Sequence, residues 1–218
     1  MNLSEPLADV SPSLHGRVLS VLTAADKPLT GRQVAARVSG TPRKSGDFHA
    51  PPGRSVSGTL RVLNLLVDSG LVDRVDHPPS ALFTLNRDHL AARHIVALTG
   101  LREELFDRLR ELIAGWEILP VSAVVFGSVA RGDSGPDSDV DLLFVRDIDH
   151  FHPTWSHQQL DLERHVFRWT GNRVGAVEFD RPGWERSVAR GDPLVDEIAR
   201  DGVILVGSAP VSVPSAHR

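Results

Sequence analysis

The chain has 218 residues, no cysteine and a formal net charge of −4. The lack of cysteine excludes disulfides, thiol catalysis and thiolate zinc sites, and no apolar run approaches the roughly 18 residues of a membrane span. We therefore expect a cytoplasmic protein that does not enter a membrane, long enough for two small domains.

The first predicted elements are three helices followed by a hairpin. Apolar residues recur at helical spacing over 11–25, 30–40 and 55–70, and Gly40 and Gly70 end the second and third helices. The runs LVDRVD and ALFTLN then alternate and are joined by HPPS, as in a small β-hairpin. This order resembles that of a winged helix-turn-helix domain, which we place at residues 1–95.

The charge is unevenly distributed along the chain. Residues 1–95 hold 11 Lys+Arg and 8 Asp+Glu (+3), and residues 96–218 hold 13 and 20 (−7). Winged helices bind the DNA major groove with the second helix of the pair and meet phosphates with basic residues. The resemblance therefore implies DNA as a partner, and a homodimer that reads two half-sites. The candidate nucleic-acid-binding residues are Arg43, Lys44, Arg54, Ser55, Ser57 and Arg61.

The segment between the second and third helices departs from that resemblance. SGTPRKSGDFHAPPGRS is much longer than the usual turn of about 3–4 residues. Winged helices also serve as protein-docking units, so docking stays open as the alternative to DNA binding.

The second half alternates helices with short apolar runs. A periodic helix begins at residue 97, and we assign 96–119 as a linker helix. VSAVVFG, VDLLFV, VGAVEFD and VILVG are predicted strands, and HQQLDLERHVFRWTG and PLVDEIARDG are predicted helices. The domain they form is placed at 120–207, and residues 208–218 are predicted to be a disordered tail.

Two carboxylates stand at the start of an apolar strand in FGSVARGDSGPDSDVDLLFV. Alternate strand residues share a face, so Asp139 and Asp141 present their carboxylates side by side. Paired carboxylates suit Mg²⁺ in phosphoryl transfer. Gly127 and Ser128, where the preceding strand becomes a helix, offer backbone N–H groups and a hydroxyl to phosphate.

Two other phosphate or metal motifs do not fit the same stretch. A Walker A loop needs a lysine where Asp133 stands. A calcium loop needs glycine at Leu142 and a bidentate glutamate at Ile148. The stretch is therefore neither a Walker A loop nor a calcium loop.

The pattern Gly127-Ser128, ten residues, Asp139-Val140-Asp141 resembles the signature of DNA polymerase β-like nucleotidyltransferases, specifically the minimal nucleotidyltransferases. The resemblance implies an α+β protein in which the winged helix precedes an α/β nucleotidyltransferase domain with a mixed sheet. It implies Mg²⁺ or Mn²⁺ at the aspartate pair and an NTP, with ATP expected, held by Gly127 and Ser128. Arg131 is a further candidate for phosphate contact.

The resemblance also implies a third carboxylate on a later strand, able to act as base. Glu178 and Asp180 lie two residues apart in VGAVEFD and are the candidates. Glu178 is favoured because a single acidic residue inside an apolar run suggests a functional role, whereas Asp180 sits at the strand end.

The function predicted in this way is transfer of NMP from an NTP to an acceptor hydroxyl. By resemblance the acceptor is a protein, as in toxin–antitoxin pairs, a tRNA 3′ end or a small molecule. The alternative is a DNA-binding transcriptional regulator in which the nucleotidyltransferase fold only senses nucleotide.

Overall fold

The computed structural model describes residues 1–40, 55–148 and 152–208. Its contacts divide the chain into two compact units: an N-terminal unit, Glu5–Leu101, and a second unit formed by Met1–Ser4 with Arg102–Arg218. Within the described ranges, none of the helices combines the length and the apolar character needed to cross a membrane.

In its described residues, the N-terminal unit combines five helices with a small antiparallel sheet whose strand order is β1-β3-β2. The sheet and the helices enclose one core that includes Val18, Val34, Leu63 and Phe83. The elements are α1 (Pro6–Val10), α2 (Leu14–Thr23), β1 (Leu29–Thr30), α3 (Gly31–Gly40), α4 (Val56–Asp68), β2 (Val72–His77), β3 (Ser80–Leu85) and α5 (Ala92–Thr99).

Local sequence explains most of these elements. Ser13 and Ser55 cap α2 and α4 by accepting from the backbone N–H of Gly16 and Gly58. The predicted hairpin is β2 with β3. The short strand β1 was not predicted, because two residues carry no periodicity; it exists through its pairing with β3, Leu29 opposite Phe83.

The described part of the second unit is a four-stranded mixed sheet with helices on both faces. Its strand order is β6-β5-β4-β7, with β5 and β6 parallel and the other pairs antiparallel, so the predicted mixed sheet is found. The elements are α6 (Leu101–Ala114), β4 (Ser122–Phe126), α7 (Gly127–Arg131), β5 (Val140–Arg146), α8 (Pro153–Thr170), β6 (Val174–Asp180), α9 (Arg181–Arg190), α10 (Pro193–Asp201) and β7 (Val203–Gly207).

Alternation along β5 defines the two faces of this sheet. Leu142 and Phe144 belong to a core with residues of α6 and α8, including Leu109, Trp155 and Leu162. On the opposite face, a second core contains Leu143, Val145, Trp184, Val195 and Ile198. We call these the α6/α8 face and the α9/α10 face.

The unit boundaries differ from the predicted domains. The predicted linker helix 96–119 is divided: α5 ends at Thr99, whereas α6 buries one side in the α6/α8 core. Residues 1–4 belong to the second unit, where Leu3 is 2% exposed in that same core. The Ser134 N–H donates to Ser4 Oγ at 2.7 Å. Of the predicted tail, residues 209–218 lie outside the described residues.

Candidate active site

Asp139 and Asp141 lie at the beginning of β5, as the alternating pattern predicts. Asp139 precedes the strand and is exposed, while Asp141 is half-buried inside it. Asp141 is paired with Phe126 of β4 on one side and Gly175 of β6 on the other. It shares the α9/α10 face with Leu143 and Val145.

Two glycines enclose the Asp141 carboxylate. A Cβ at Gly127 would overlap Oδ2, and a Cβ at Gly175 would lie 2.8 Å from Oδ1. Gly127 also has φ of +70°, a backbone conformation that other residues adopt only with strain. Both positions therefore require glycine if the carboxylate is to stay where it is. Gly127 was predicted; Gly175 was not, because its role appears only when β5 and β6 are aligned.

Like charges accumulate around Asp141. Burial raises the pKa of Asp141, the neighbouring charges of Asp139 and Glu197 raise it further, and Arg131 opposes them. Burial and neighbouring carboxylates destabilise the ionised form of a carboxylate, and a bound cation stabilises it. The charge distribution thus suits a divalent cation.

The helix α7 brings the remaining predicted nucleotide-binding residues to this place. Gly127 begins α7 directly after β4, Ser128 follows and Arg131 ends the helix. Arg131 Nη1 donates to Glu197 Oε1 at 2.6 Å, and its Nε donates to Asp133 Oδ2 at 3.4 Å. Glu197 lies on α10 and was not predicted. The sequence shows the helix, but only tertiary packing shows which of its acids meets Arg131.

Glu178 requires a correction, because the structure does not bring it to the aspartate pair. It is paired with Phe144 and therefore lies on the α6/α8 face, opposite to Asp141. It is also three residues beyond Gly175, about 10 Å along the strand. Glu178 Oε2 accepts from Trp155 Nε1 at 2.8 Å and from Arg146 Nε at 3.1 Å. Its role is to satisfy a buried arginine, which is 5% exposed.

Asp180, the alternative third carboxylate, is engaged elsewhere too. It caps α9 and accepts from the Gly183 N–H at 2.8 Å. The β6 residues on the same face as Asp141 are Gly175, Val177 and Phe179, none of which is acidic. Across the described ranges, no three His, Cys, Asp or Glu side chains are grouped so as to hold a metal ion.

The predicted nucleic-acid-binding residues fall into two groups. Arg43, Lys44 and Arg54 lie outside the described residues. The other three occupy the exposed N-terminal half of α4: Ser55 is its cap and hydrogen-bonds Ser57 Oγ at 2.9 Å, and Arg61 is exposed. The structure therefore brings Ser55, Ser57 and Arg61 onto one helix.

Part of the second unit matches a known protein family. Residues 102–173 match the family model of the nucleotidyltransferase domain. The match covers about a third of the chain and runs from α6 to the residue before β6, including Gly127, Ser128, Asp139 and Asp141. The match supports a nucleotidyltransferase domain in this part of the chain, and with it a transferase.

Solved structures add only weak similarity. A toxin–antitoxin crystal structure with AMP-PNP is 16% identical, with a TM-score of 0.34, over 47% of this chain and 73% of that chain. A double mutant of the toxin–antitoxin MntA–HpeT is 15% identical, with a TM-score of 0.33 and the same coverage. Such scores are too low to support conclusions on fold or function. No curated protein matches the chain significantly.

Proposed function

We propose that the second unit catalyses Mg²⁺-dependent transfer of a nucleoside monophosphate from an NTP to an acceptor hydroxyl. The observation that carries the proposal is the pair Asp139 and Asp141 at the start of β5, inside the segment that matches the nucleotidyltransferase family. Partly buried Asp141, with its raised pKa, marks this end of the sheet as a place that favours a cation.

The residues present fit a magnesium ion. Mg²⁺ keeps several waters and is commonly bound by one or two carboxylates together with substrate phosphates. The two aspartates therefore supply as many protein ligands as such a site usually has. When bound there, the ion would neutralise charge on the triphosphate and on the leaving pyrophosphate.

The chain's own residues have separate tasks in this proposal. Asp139 and Asp141 hold the cation, and the absence of a side chain at Gly127 leaves room for the Asp141 carboxylate and for phosphate. Ser128 and Arg131 contribute a hydroxyl and a guanidinium to the phosphates. Positioning and charge then provide most of the catalysis, and an acceptor hydroxyl attacks the α-phosphorus while pyrophosphate leaves.

The second candidate function is nucleotide sensing by a regulator. Two observations favour it. The β6 residues beside Asp141 offer no base for the acceptor hydroxyl, and the described order α2, β1, α3, α4, β2 and β3 resembles that of the winged helix predicted from the sequence. In this candidate Ser55, Ser57 and Arg61, with Arg43, Lys44 and Arg54, bind DNA. A toxin–antitoxin role stays a prediction.

Labelled substrate separates the two candidates. The purified chain is incubated with each α-³²P-labelled NTP and Mg²⁺, with and without lysate or total tRNA, and protein, RNA and small-molecule fractions are separated. Label that depends on Asp139 and Asp141, tested with Asp139→Asn and Asp141→Asn, would establish transfer and identify the acceptor class. Nucleotide binding without label in any fraction would establish the sensor.

A further inference from the structure

The ion pair between Arg131 and Glu197 links helix α7 to helix α10. We propose that Glu197 is a positioning residue that holds Arg131 in the orientation in which it meets the phosphates of a nucleotide bound at Asp139 and Asp141. This inference rests on the proposed function, since it deepens the role assigned there to Arg131.

Glu197 is presented by a well-anchored helix. Its neighbours Val195 and Ile198 are each 5% exposed and lie in the core of the α9/α10 face. The first turn of α10 is capped by Asp192, which accepts from the Leu194 N–H at 3.0 Å. The backbone at Glu197 is therefore held in place, and its carboxylate can orient the side chain of Arg131.

The two contacts of Arg131 restrict its side chain but leave part of it available. Glu197 Oε1 accepts from Nη1 at 2.6 Å and Asp133 Oδ2 accepts from Nε at 3.4 Å. Neither contact uses Nη2, whose direction is fixed because the guanidinium is planar. An arginine side chain loses rotamer entropy when it is ordered, so holding it in advance lowers the cost of binding phosphate.

The pair lies close to the proposed metal ligands. Helix α7, which carries Arg131, begins at Gly127 beside the Asp141 carboxylate and packs against both β5 and α10. About two thirds of each side chain is shielded from solvent, since both are 33% exposed.

A plain surface ion pair is the competing explanation, and it makes a different prediction. Such pairs contribute little to stability and would not affect ligand affinity. A role in positioning instead requires that the effect of Glu197 on nucleotide binding pass through Arg131.

Calorimetric titration of the full chain tests this with Mg²⁺ and the α,β-methylene analogues of ATP, GTP, CTP and UTP. We expect Glu197→Ala to weaken binding by about two- to fivefold, because an orienting ion pair of this exposure is lost. Glu197→Gln should retain most of the affinity, because its amide oxygen still accepts from Nη1. Asp196→Ala, an exposed acid one residue earlier on α10, is the matched control and should bind normally.

A double-mutant cycle supplies the deciding comparison. If Glu197 acts through Arg131, the double variant R131A/E197A binds no more weakly than R131A alone. Additive losses, unchanged affinity in E197A, or tighter binding in E197A would each overturn the inference. Tryptophan fluorescence establishes that each variant is folded. A wild-type chain that binds none of the four analogues would refute the proposed function itself, and the inference with it.

Discussion

Replacing Glu178 distinguishes a structural carboxylate from a catalytic one. Its Oε2 accepts hydrogen bonds from both Arg146 Nε, at 3.1 Å, and Trp155 Nε1, at 2.8 Å. Removing one partner of a buried ion pair costs about 3–5 kcal/mol. The Arg146 side chain is 6% exposed and that of Glu178 21%, so we expect Glu178→Ala to cost about 3 kcal/mol, the lower end of that range.

The assay uses the position of the tryptophans. All four, Trp116, Trp155, Trp169 and Trp184, lie in the second unit and the chain has no tyrosine, so tryptophan fluorescence follows the unfolding of that unit. A loss of about 3 kcal/mol corresponds to a Tm lower by roughly 10 °C for a domain of this size. Glu163→Ala, on the exposed side of α8, is the control and should shift Tm by about 2 °C or less.

Nucleotide affinity completes the test of Glu178. Glu178→Gln keeps an oxygen for Trp155 and loses only the charge that faces Arg146, so it should be the milder variant. Measured below its Tm, it should bind Mg²⁺ and nucleotide as the wild type does. An unchanged Tm together with lost nucleotide binding or lost transfer would refute our placement of Glu178 and return it to the active site.

Three further predictions concern the site and its support. Gly127→Ala should abolish Mg²⁺-dependent nucleotide binding, because the new Cβ overlaps the Asp141 carboxylate. Gly171→Ala is the control: it also has positive φ, +74°, but a Cβ there has no neighbouring atom within 4 Å. This variant carries only the backbone strain and should bind nucleotide normally in the same titration. Asp141→Asn should raise the Tm of the metal-free second unit at neutral pH. The raised pKa of Asp141 in the folded state means that its penalty accumulates as pH rises above the unfolded value of about 4; a Tm gain that persisted below that pH would contradict this cause. Leu3→Ala should destabilise the second unit by about 2–3 kcal/mol, visible in tryptophan fluorescence, and a change confined to the N-terminal unit would show that Leu3 is misplaced.

The part of the site that sequence reasoning could predict is the part within one strand and its neighbouring turn. Asp139 and Asp141 share a face because strand residues alternate, and the apolar run after them indicates where β5 lies. Gly127 and Ser128 follow in the same way from the end of β4. These relations depend only on local geometry, and the structure retains them.

The third carboxylate could not be predicted, because it depends on the register between two strands. Glu178 and Asp180 share a face with each other, as alternation requires, but their face relative to Asp141 is decided by which β6 residue stands beside it. That residue is Gly175. A shift of one residue would place Glu178 on the other face of the sheet. The crossover through α8 that decides the register carries no simple sequence signal.

Long-range packing accounts for the other differences. The helix at 97–114 was predicted, but not that its apolar side covers the α6/α8 face of the second unit. Residues 1–4 are too few to show any periodicity, and their place is decided by contacts with residues more than a hundred positions away. Asn172, for example, donates through Nδ2 both to the Met1 carbonyl at 3.1 Å and to the Ser138 carbonyl at 2.7 Å. The loop that leads to Asp139 is thereby tied to the first residues of the chain.

In the proposed function, the charge arrangement at Asp141 connects metal binding to nucleotide binding. Among the described acids near this site, Glu197 and Asp133 are paired with Arg131, and Asp139 and Asp141 are the carboxylates proposed to bind the cation. Two carboxylates do not complete the octahedral shell that Mg²⁺ demands, so phosphate oxygens or water must supply the remaining ligands. The triphosphate in turn needs the cation, because Asp139 and Asp141 would otherwise repel it. Metal and nucleotide should therefore bind with positive coupling, and the coupling must be equal in both directions. A third carboxylate on β6 would weaken this dependence, and the glycine that stands beside Asp141 preserves it.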